Sequence, residues 1–245
     1  KILKFEGGFH GTSDYALMSV TSTGAAEFPQ AVASSGGIPA AIQDLMLVAP
    51  FNDLETTTAI IEAHQQELAA VIVEPLQRII APQRGFLQGL RELTAQHNIP
   101  LIFDEVVTGF LASPGGAQVL YGIRPDLTTL AKILAGGLPG GAIAGREDIL
   151  ELLDFEAAEK KGFEKIGHQG TFNANPMSAA SGIAALELIA AGGVCETASA
   201  QAASLRRQIN AVFESEDVPW ACYGEYSGFY IFTNPENLPL SPSSF

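Results

Sequence analysis

The amino-acid sequence predicts an α/β fold in which a mostly parallel β-sheet carries helices on both faces. Two observations support this prediction. Short apolar runs of strand length alternate along much of the chain with segments of helical spacing. The chain also has 245 residues, of which 47% are hydrophobic and only 16% are charged, so it can bury one large domain or one domain with part of a second.

The strands are predicted at apolar runs that turns separate from the next segment. These runs are residues 2–5, 45–48, 70–73, 101–103, 127–130 and 142–144. Helices are predicted between them at residues 53–68 and 85–97, and Asn52 or Asp53 can cap the first of these helices. In an open parallel sheet, ligands bind beyond the carboxyl ends of the strands, so a site is expected at that edge.

The pattern changes from Asn175 onward. A helix rich in small residues is predicted at residues 175–191 and a second helix at residues 196–213, with Gly192-Gly193 as the break between them. A strand is predicted at residues 227–233. Residues 234–245 are rich in proline and serine.

Charge and cysteine content argue against several classes of function. The formal net charge is −14 with acids spread along the chain, which disfavours nucleic acid or an anionic membrane as the main partner. Cys195 and Cys222 lack metal-like spacing, so neither a zinc site nor a disulfide framework is predicted, and a reducing compartment fits best. The start has no signal-peptide core and no apolar run of about 18 residues occurs, so we expect a soluble cytoplasmic protein.

Lys132 is the residue that the sequence singles out for chemistry. It follows the strand predicted at residues 127–130 and precedes a glycine-rich turn at residues 135–141. Position alone favours a structural lysine, whose stem packs while its head reaches water. If the ammonium is instead partly desolvated, its pKa falls and the neutral amine can attack a carbonyl to form a Schiff base.

Asp104 supplies a second candidate at the same edge of the sheet. It ends the strand predicted at residues 101–103, so Asp104 and Lys132 can face one crevice. Glu105 is its neighbour along the strand, so the two acids leave opposite faces and cannot act together on one atom. A lysine with such an aspartate is what pyridoxal phosphate requires, because the lysine holds the aldehyde and the aspartate keeps the ring nitrogen protonated.

Other chemistries lack their sequence signatures. The acidic strand end resembles that of nucleoside triphosphatases, but no glycine-rich loop ending in Gly-Lys-Ser or Gly-Lys-Thr is present. The histidines form no HExxH pair, and no Gly-x-Ser-x-Gly elbow occurs, so metal and serine hydrolysis lose support.

The sequence resembles the class III pyridoxal-phosphate-dependent aminotransferases, and within them the glutamate-1-semialdehyde aminomutase branch. The matching segments are residues 5–11 (FEGGFHG), 73–75 (VEP), 104–110 (DEVVTGF), 131–141 (AKILAGGLPGG) and 170–176 (GTFNANP). They occur in order over nearly the whole chain, so the joint pattern is highly specific.

The resemblance implies a role for each residue of the site. Lys132 is expected to be the Schiff-base lysine and the proton shuttle, and Asp104 the partner of the pyridine nitrogen. Val106 would pack under one face of the ring. Phe9 would stack on the other face, at a position that is tyrosine in many relatives, and His10 would help to orient the ring.

The resemblance also implies fold type I of the pyridoxal-phosphate enzymes and a homodimer with shared active sites. Thr171 resembles the threonine that reaches the cofactor phosphate of the neighbouring subunit. A large cofactor-binding domain is expected over residues 1–192, and a linking helix with part of a smaller α+β domain over residues 193–245. The family's phosphate-binding segment normally lies upstream of the Phe-His-Gly motif, and the chain stops inside what should be the smaller C-terminal domain. The chain is therefore expected to be truncated at both ends.

The resemblance leaves the substrate open between an amino acid and an amino-aldehyde. The alternatives are an ω- or β-amino acid aminotransferase that uses an external keto acid, or a non-catalytic remnant of the fold that serves as a dimerisation or interaction domain. Residues 151–167 would be a mobile lid or a long surface loop. Three arginines could bind a substrate carboxylate, although a surface role is favoured for each: Arg78, Arg84 and Arg146. Leu111 replaces an arginine that is common in relatives.

Overall fold

A six-stranded, mostly parallel sheet forms the centre of the fold. The computed structural model describes residues 1–21 and 27–238. The strands are β1 (Ile2–Phe5), β2 (Met46–Ala49), β3 (Ala70–Val73), β4 (Leu101–Asp104), β5 (Leu127–Leu130) and β6 (Ala142–Gly145). Their order is β2-β1-β3-β4-β5-β6, with all neighbours parallel except β6, which is antiparallel to β5. The predicted sheet is confirmed, and each strand lies within one residue of its expected bounds.

Helices link the strands and extend beyond the sheet. They are α1 (Ala40–Gln43), α2 (Leu54–His64), α3 (Phe86–Gln96), α4 (Gly116–Tyr121), α5 (Glu147–Leu150), α6 (Phe155–Lys161), α7 (Pro176–Ala190) and α8 (Val194–Ser215). A small antiparallel sheet pairs β7 (Ala221–Tyr223) with β8 (Tyr230–Phe232). The strand predicted at residues 227–233 is therefore shorter than expected, and its partner β7 was not predicted.

Helix α2 shows how local chemistry sets an element's ends. Asp53 caps it, because its carboxylate accepts hydrogen bonds from the Thr56 backbone N–H at 2.9 Å and from the Thr56 hydroxyl at 2.6 Å. The helix ends at His64, so the predicted extension to residue 68 is wrong. The chain turns after His64 in order to bury Leu68 and to pair the Ala69 N–H with the carbonyl of Lys1.

The main core lies between one face of the sheet and helices α2 and α3. Alternate residues of the strands point into it, including Leu3 and Phe5 of β1 and Leu101 and Phe103 of β4, all fully buried. Large-to-small changes at such positions cost about 3–5 kcal/mol for phenylalanine. The packing on this face stabilises the sheet. The carboxyl ends of the strands lie outside this core and can carry polar side chains.

The stretch at residues 151–167 is largely helical as far as Lys161 and is irregular after it. It contains a 3-10 helix at Glu151–Leu153 and then α6, whose first turn Asp154 caps through bonds from the N–H groups of Glu156 and Ala157. The expectation of a long surface loop is therefore wrong for the first part of the stretch, because this cap starts a helix there. The expectation of a mobile lid remains a prediction.

In the described part of the chain, no single helix is long and apolar enough to cross a membrane. Helices α7 and α8 pass the same test of length and composition only as a pair, and they meet at a bend of 79°.

Candidate active site

A cleft of about 810 Å³ opens at the carboxyl edge of the parallel strands. Segments that follow β1, β3, β4 and β5 line it, together with side chains of the β7–β8 hairpin. The lining includes Phe9, His10, Glu74, Asp104, Val106 and Lys132. The structure thus brings all of the predicted site residues except Thr171 to one cleft.

Asp104 is the most heavily bonded group in this cleft. One carboxylate oxygen lies 2.8 Å from Nδ1 of His10, and the other accepts bonds from the Val106 N–H and the Thr129 hydroxyl, both at 3.1 Å. Burial raises the pKa of Asp104, but the His10 hydrogen bond and charge, with the Val106 and Thr129 bonds, together lower it below its usual value. The carboxylate is therefore kept ionised although its side chain is only 8% exposed.

Glu105 points away from the cleft and binds the start of α4. Its carboxylate accepts the backbone N–H groups of Ala117 at 2.6 Å and Gln118 at 3.1 Å, at the start of α4. It also accepts the Thr108 hydroxyl at 3.0 Å. These contacts satisfy free N–H groups at the helix end, so Glu105 anchors α4 and leaves the cleft to Asp104.

Phe9 and His10 lie on the segment after β1 and reach over to β4. The Phe9 N–H donates to the Glu74 carboxylate at 3.0 Å, and the Phe9 ring, 42% exposed, lies under the Arg78 guanidinium at 5.7 Å. Nε2 of His10 is buried and has no hydrogen-bond partner among the described residues. A buried ring nitrogen without a protein partner is uncommon in folded proteins, and His10 lines the cleft.

Glu74 also belongs to this site, although from the sequence it was identified only as part of the matching segment at residues 73–75. It directly follows β3. Burial raises the pKa of Glu74, and the nearby Asp104 charge raises it further. The hydrogen bond from the Phe9 N–H and the charges of His10 and Arg78 lower the pKa but do not outweigh burial. The rule that selected Asp104, an acid at the carboxyl end of a buried parallel strand, applies equally to Glu74. That rule, applied to the predicted strand at residues 70–73, would have found it.

Lys132 borders the cleft from the segment after β5. It begins a 3-10 helix, Lys132–Ala135, with a φ of 51°, and its side chain is exposed. The expected partial desolvation of Lys132 is therefore wrong for this chain. The physical reason is its location: Lys132 starts a surface turn rather than ending the buried strand.

Helix α7 supports the turn that carries Lys132. The Ser181 hydroxyl donates to the carbonyl of Gly136 at 2.9 Å. A Cβ at Gly182 would lie 2.6 Å from the carbonyl oxygen of Leu134, and one at Gly136 would lie 2.4 Å from the carbonyl oxygen of Ser181. The helix can approach the Lys132 turn this closely only because these positions carry no side chain.

The remaining candidates fall in different places. Thr171 is exposed and is not among the residues that line the cleft. Arg78 lines the cleft and donates through Nε to the carbonyl of Gly7 at 2.9 Å. Arg146 forms ion pairs with Asp126 and Asp148 and is about half exposed, in agreement with the surface role that was favoured for it. Arg84 is exposed and lies outside the cleft.

The polar groups of the cleft suit an aldehyde cofactor with a basic aromatic ring better than a metal ion. The described residues contain no group of three or more His, Cys, Asp or Glu side chains that could hold a metal. They do offer an ionised carboxylate at Asp104, an amine at Lys132, an aromatic wall at Phe9 and an apolar wall at Val106. A carboxylate, an amine and two apolar walls are the set that such a ring requires.

Comparison with known proteins shows the family to which the chain belongs. The model of the class-III aminotransferases matches residues 1–222. The chain belongs to the class-III aminotransferase family. The resemblance inferred from the five sequence segments is thereby confirmed.

Individual relatives and solved structures give the extent of the similarity. The chain is 38% identical over 239 residues to glutamate-1-semialdehyde 2,1-aminomutase of Methanosarcina acetivorans, covering 96% of this chain and 54% of that protein. Its structure superposes with a TM-score of 0.84 on an omega-transaminase from Sphaerobacter thermophilus, at 36% identity, covering 96% of this chain and 54% of the other. A transaminase with PLP bound gives the same TM-score and coverage at 29% identity. These superpositions confirm fold type I, and the chain spans about half the length of the curated relatives it matches.

Proposed function

We propose that the full-length protein to which this chain belongs is a pyridoxal-phosphate-dependent enzyme that moves an amino group. The observation that carries the proposal is the buried, ionised Asp104 carboxylate, bonded to His10, in a cleft that Lys132 borders. The class-III family match and the similarity to a transaminase with PLP bound support the cofactor.

Two side chains would take part in the chemistry. Pyridoxal phosphate, when bound, supplies an aldehyde that bonds covalently to an amine and a ring that draws electrons from the substrate carbon. Lys132 would provide the amine through Nζ and, once released, would take a proton from the substrate carbon and later return it. Asp104 would hold a proton on the ring nitrogen opposite it, because its lowered pKa keeps the carboxylate charged.

The other cleft residues would position these two groups. His10 holds one carboxylate oxygen of Asp104, and the Val106 N–H holds the other, so the carboxylate has a fixed orientation. Phe9 and Val106 would cover opposite faces of a flat ring. Phe9 would do so without a phenol, so it contributes stacking but no hydroxyl hydrogen bond.

The leading reaction is the intramolecular amino transfer of a glutamate-1-semialdehyde aminomutase or a class-III transamination of an amino acid or amino-aldehyde. The identity to the Methanosarcina acetivorans aminomutase supports the first. The similarity to the Sphaerobacter thermophilus omega-transaminase favours, as a second candidate, an ω- or β-amino acid aminotransferase that passes the amino group to an external keto acid. Isomerisation of glutamate 1-semialdehyde without any added keto acid would select the first candidate, and a strict keto-acid requirement the second.

The covalent attachment can be tested directly on the full-length protein. Addition of pyridoxal phosphate should produce a visible absorption band, which an amino donor shifts. Borohydride reduction should add to the peptide that contains Lys132 the mass of the cofactor less one oxygen atom, because water leaves when the imine forms and two hydrogens are then added. Lys132→Ala should lose both the band and turnover. The control is Lys161→Ala, a surface lysine paired with Glu151 at 2.6 Å, which should keep both. Full activity in Lys132→Ala would refute the proposal, and no band in the wild type would favour a non-catalytic remnant of the fold.

We also propose a homodimer in which Thr171 serves the cofactor phosphate of the partner subunit. Its exposure, and its position outside the cleft of its own chain, support this role. The test is to mix two inactive variants, Lys132→Ala and Thr171→Val, and to allow the subunits to exchange. A shared site predicts recovery of activity, because one site of each hybrid dimer receives both native residues. Mixtures that stay inactive after verified exchange would rule the shared site out.

Two further expectations remain proposals. One is a domain boundary near residue 193, between a large domain over residues 1–192 and a second unit. It is supported by the separate β7–β8 sheet and by the packing of α8 against β7. The end of the second unit, from residue 239, lies outside the described residues. Limited proteolysis near Gly192 should separate the two if it is correct. A cytoplasmic location is supported by the free, buried thiols of Cys195 and Cys222, and cell fractionation tests it.

A further inference from the structure

Lys4 is a fully buried lysine in the middle of β1. Its neighbours along the strand, Leu3 and Phe5, point into the main core, so Lys4 points to the opposite face of the sheet. There Nζ donates hydrogen bonds to the carbonyl oxygens of Gly8 at 2.8 Å, of Ala16 at 3.4 Å and of Met18. The side chain is thus enclosed by backbone rather than extended to solvent.

The three carbonyl groups all belong to one segment, residues 8–18, which we call the cleft loop. The cleft loop contains Phe9 and His10. Its regular structure consists of short turns, such as that closed by the bonds from the Ala16 and Leu17 N–H groups to the Ser13 carbonyl, and an isolated β-bridge between Met18 and Ala33. An ammonium group has three hydrogens, so Lys4 can satisfy all three carbonyl groups at once. One side chain therefore ties both ends of the cleft loop to β1.

Burying this charge is costly, which makes its presence informative. Burial lowers the pKa of Lys4 to about 8, while nearby Glu74 raises it and Arg78 lowers it. No carboxylate of the described residues forms an ion pair with it. An apolar side chain would avoid the desolvation cost, but it would leave the loop carbonyls without a donor.

We propose that Lys4 is a positioning residue, whose ammonium holds the cleft loop so that Phe9 and His10 stand over the cleft and His10 meets Asp104. The same loop places the Phe9 N–H on Glu74 and the His10 ring on the Asp104 carboxylate. The inference extends the proposed function to a residue outside the cleft lining, but it concerns loop order and can be tested without turnover.

The test is hydrogen–deuterium exchange of the full-length, cofactor-free protein, comparing wild type with Lys4→Met. Methionine keeps much of the volume of lysine and removes the charge and all three donors. The amides of Phe9, Ala16 and Leu17, which are hydrogen-bonded in the wild type, should exchange about tenfold faster or more, while those of β3 and β4 stay unchanged. The apparent dissociation constant for pyridoxal phosphate should rise about tenfold, because the cleft loop must then be ordered on binding.

Leu3→Ala is the matched control, because it removes buried contacts from the same strand on the opposite face. It should speed exchange in the sheet without selecting the cleft loop. Lys4→Gln, an uncharged side chain with two donors, provides a second variant in case Lys4→Met does not fold, and it should also loosen the cleft loop. Exchange of the cleft loop at the wild-type rate in whichever variant folds would overturn the proposal. A wild type that binds no pyridoxal phosphate would instead refute the function and leave the exchange result standing.

Discussion

Nδ1 of His10 lies 2.8 Å from Oδ2 of Asp104, and the two side chains are only 5% and 8% exposed. His10 follows β1 and Asp104 ends β4, and β3 lies between these two strands in the sheet. The contact therefore spans the end of β3, where Glu74 also lies. Three separate strand ends are joined into one polar cluster whose charges depend on each other.

Removing the His10 ring should change Asp104 more than it changes the fold. In His10→Ala the carboxylate loses its bond and nearby charge from His10, so the burial that raises the pKa of Asp104 is opposed only by Val106 and Thr129. We expect the affinity for pyridoxal phosphate to fall by up to about 10- to 150-fold, because the carboxylate that would face the ring nitrogen loses its fixed orientation and one hydrogen bond to a charged group is worth about 1.5–3 kcal/mol. Titration of the visible absorption band measures it. His168→Ala, an exposed histidine outside this cleft, should match wild type.

The strands were predictable because their apolar runs are bounded by turns, whereas the order of strands in the sheet was not read from the sequence. Asp104 was found because it directly follows the strand predicted at residues 101–103, and Lys132 because it closes the apolar run of residues 127–131. Lys4 was missed although it interrupts the apolar run of residues 2–5, since its carbonyl ligands lie in a loop of little regular structure. The exposure of Lys132 was missed because the sequence does not show that a surface turn begins at that residue.

Glu74→Gln tests the charge of the cluster through pH. Burial raises the pKa of Glu74, so the folded protein holds its proton to higher pH than the unfolded chain does. Stability of the wild type should therefore fall relative to Glu74→Gln as the pH rises above about 4.5, where the unfolded carboxyl ionises. Urea unfolding of both proteins at several pH values measures the difference. A difference that does not vary between pH 4 and pH 7 would contradict the raised pKa.

Gly182→Ala should reverse the usual effect of this substitution in a helix. Alanine in a helix interior is favoured over glycine by about 1 kcal/mol. At Gly182, however, the new Cβ would lie 2.6 Å from the backbone carbonyl of Leu134, which cannot move without shifting the Lys132 turn. We expect a loss of about 1–3 kcal/mol in the free energy of unfolding and weaker attachment of pyridoxal phosphate.

The control for Gly182→Ala is Gly89→Ala in α3. A Cβ there would approach only the tip of the Leu54 side chain, at 2.3 Å from Cδ2, and that side chain can change rotamer. Gly89→Ala should therefore be neutral or mildly stabilising in thermal unfolding. Equal effects of the two substitutions would mean that contact with the Lys132 turn does not limit α7.

Asp126 joins elements on both sides of β5 and offers a test of the sheet edge. It accepts the Leu101 N–H at 2.8 Å, Arg91 at 2.7 Å and Arg146 at 3.0 Å, with its side chain 12% exposed. Burial raises the pKa of Asp126, but these bonds outweigh it and lower the pKa below its usual value. Asp126→Ala should cost about 1–3 kcal/mol at pH 7, because a backbone N–H and two arginines lose their acceptor.

Asp148→Ala is the matched comparison for Asp126, since it removes a different carboxylate from the same Arg146. That pair is 49% and 61% exposed, so solvent screens it and its loss should change the free energy of unfolding much less than Asp126→Ala does. The low pKa of Asp126 means that its stabilisation is complete at neutral pH and is lost as the pH falls below about 4. Urea unfolding should therefore show a larger difference between wild type and Asp126→Ala at pH 7 than at pH 3. A difference that is as large at pH 3 would assign the effect to packing rather than to the charge.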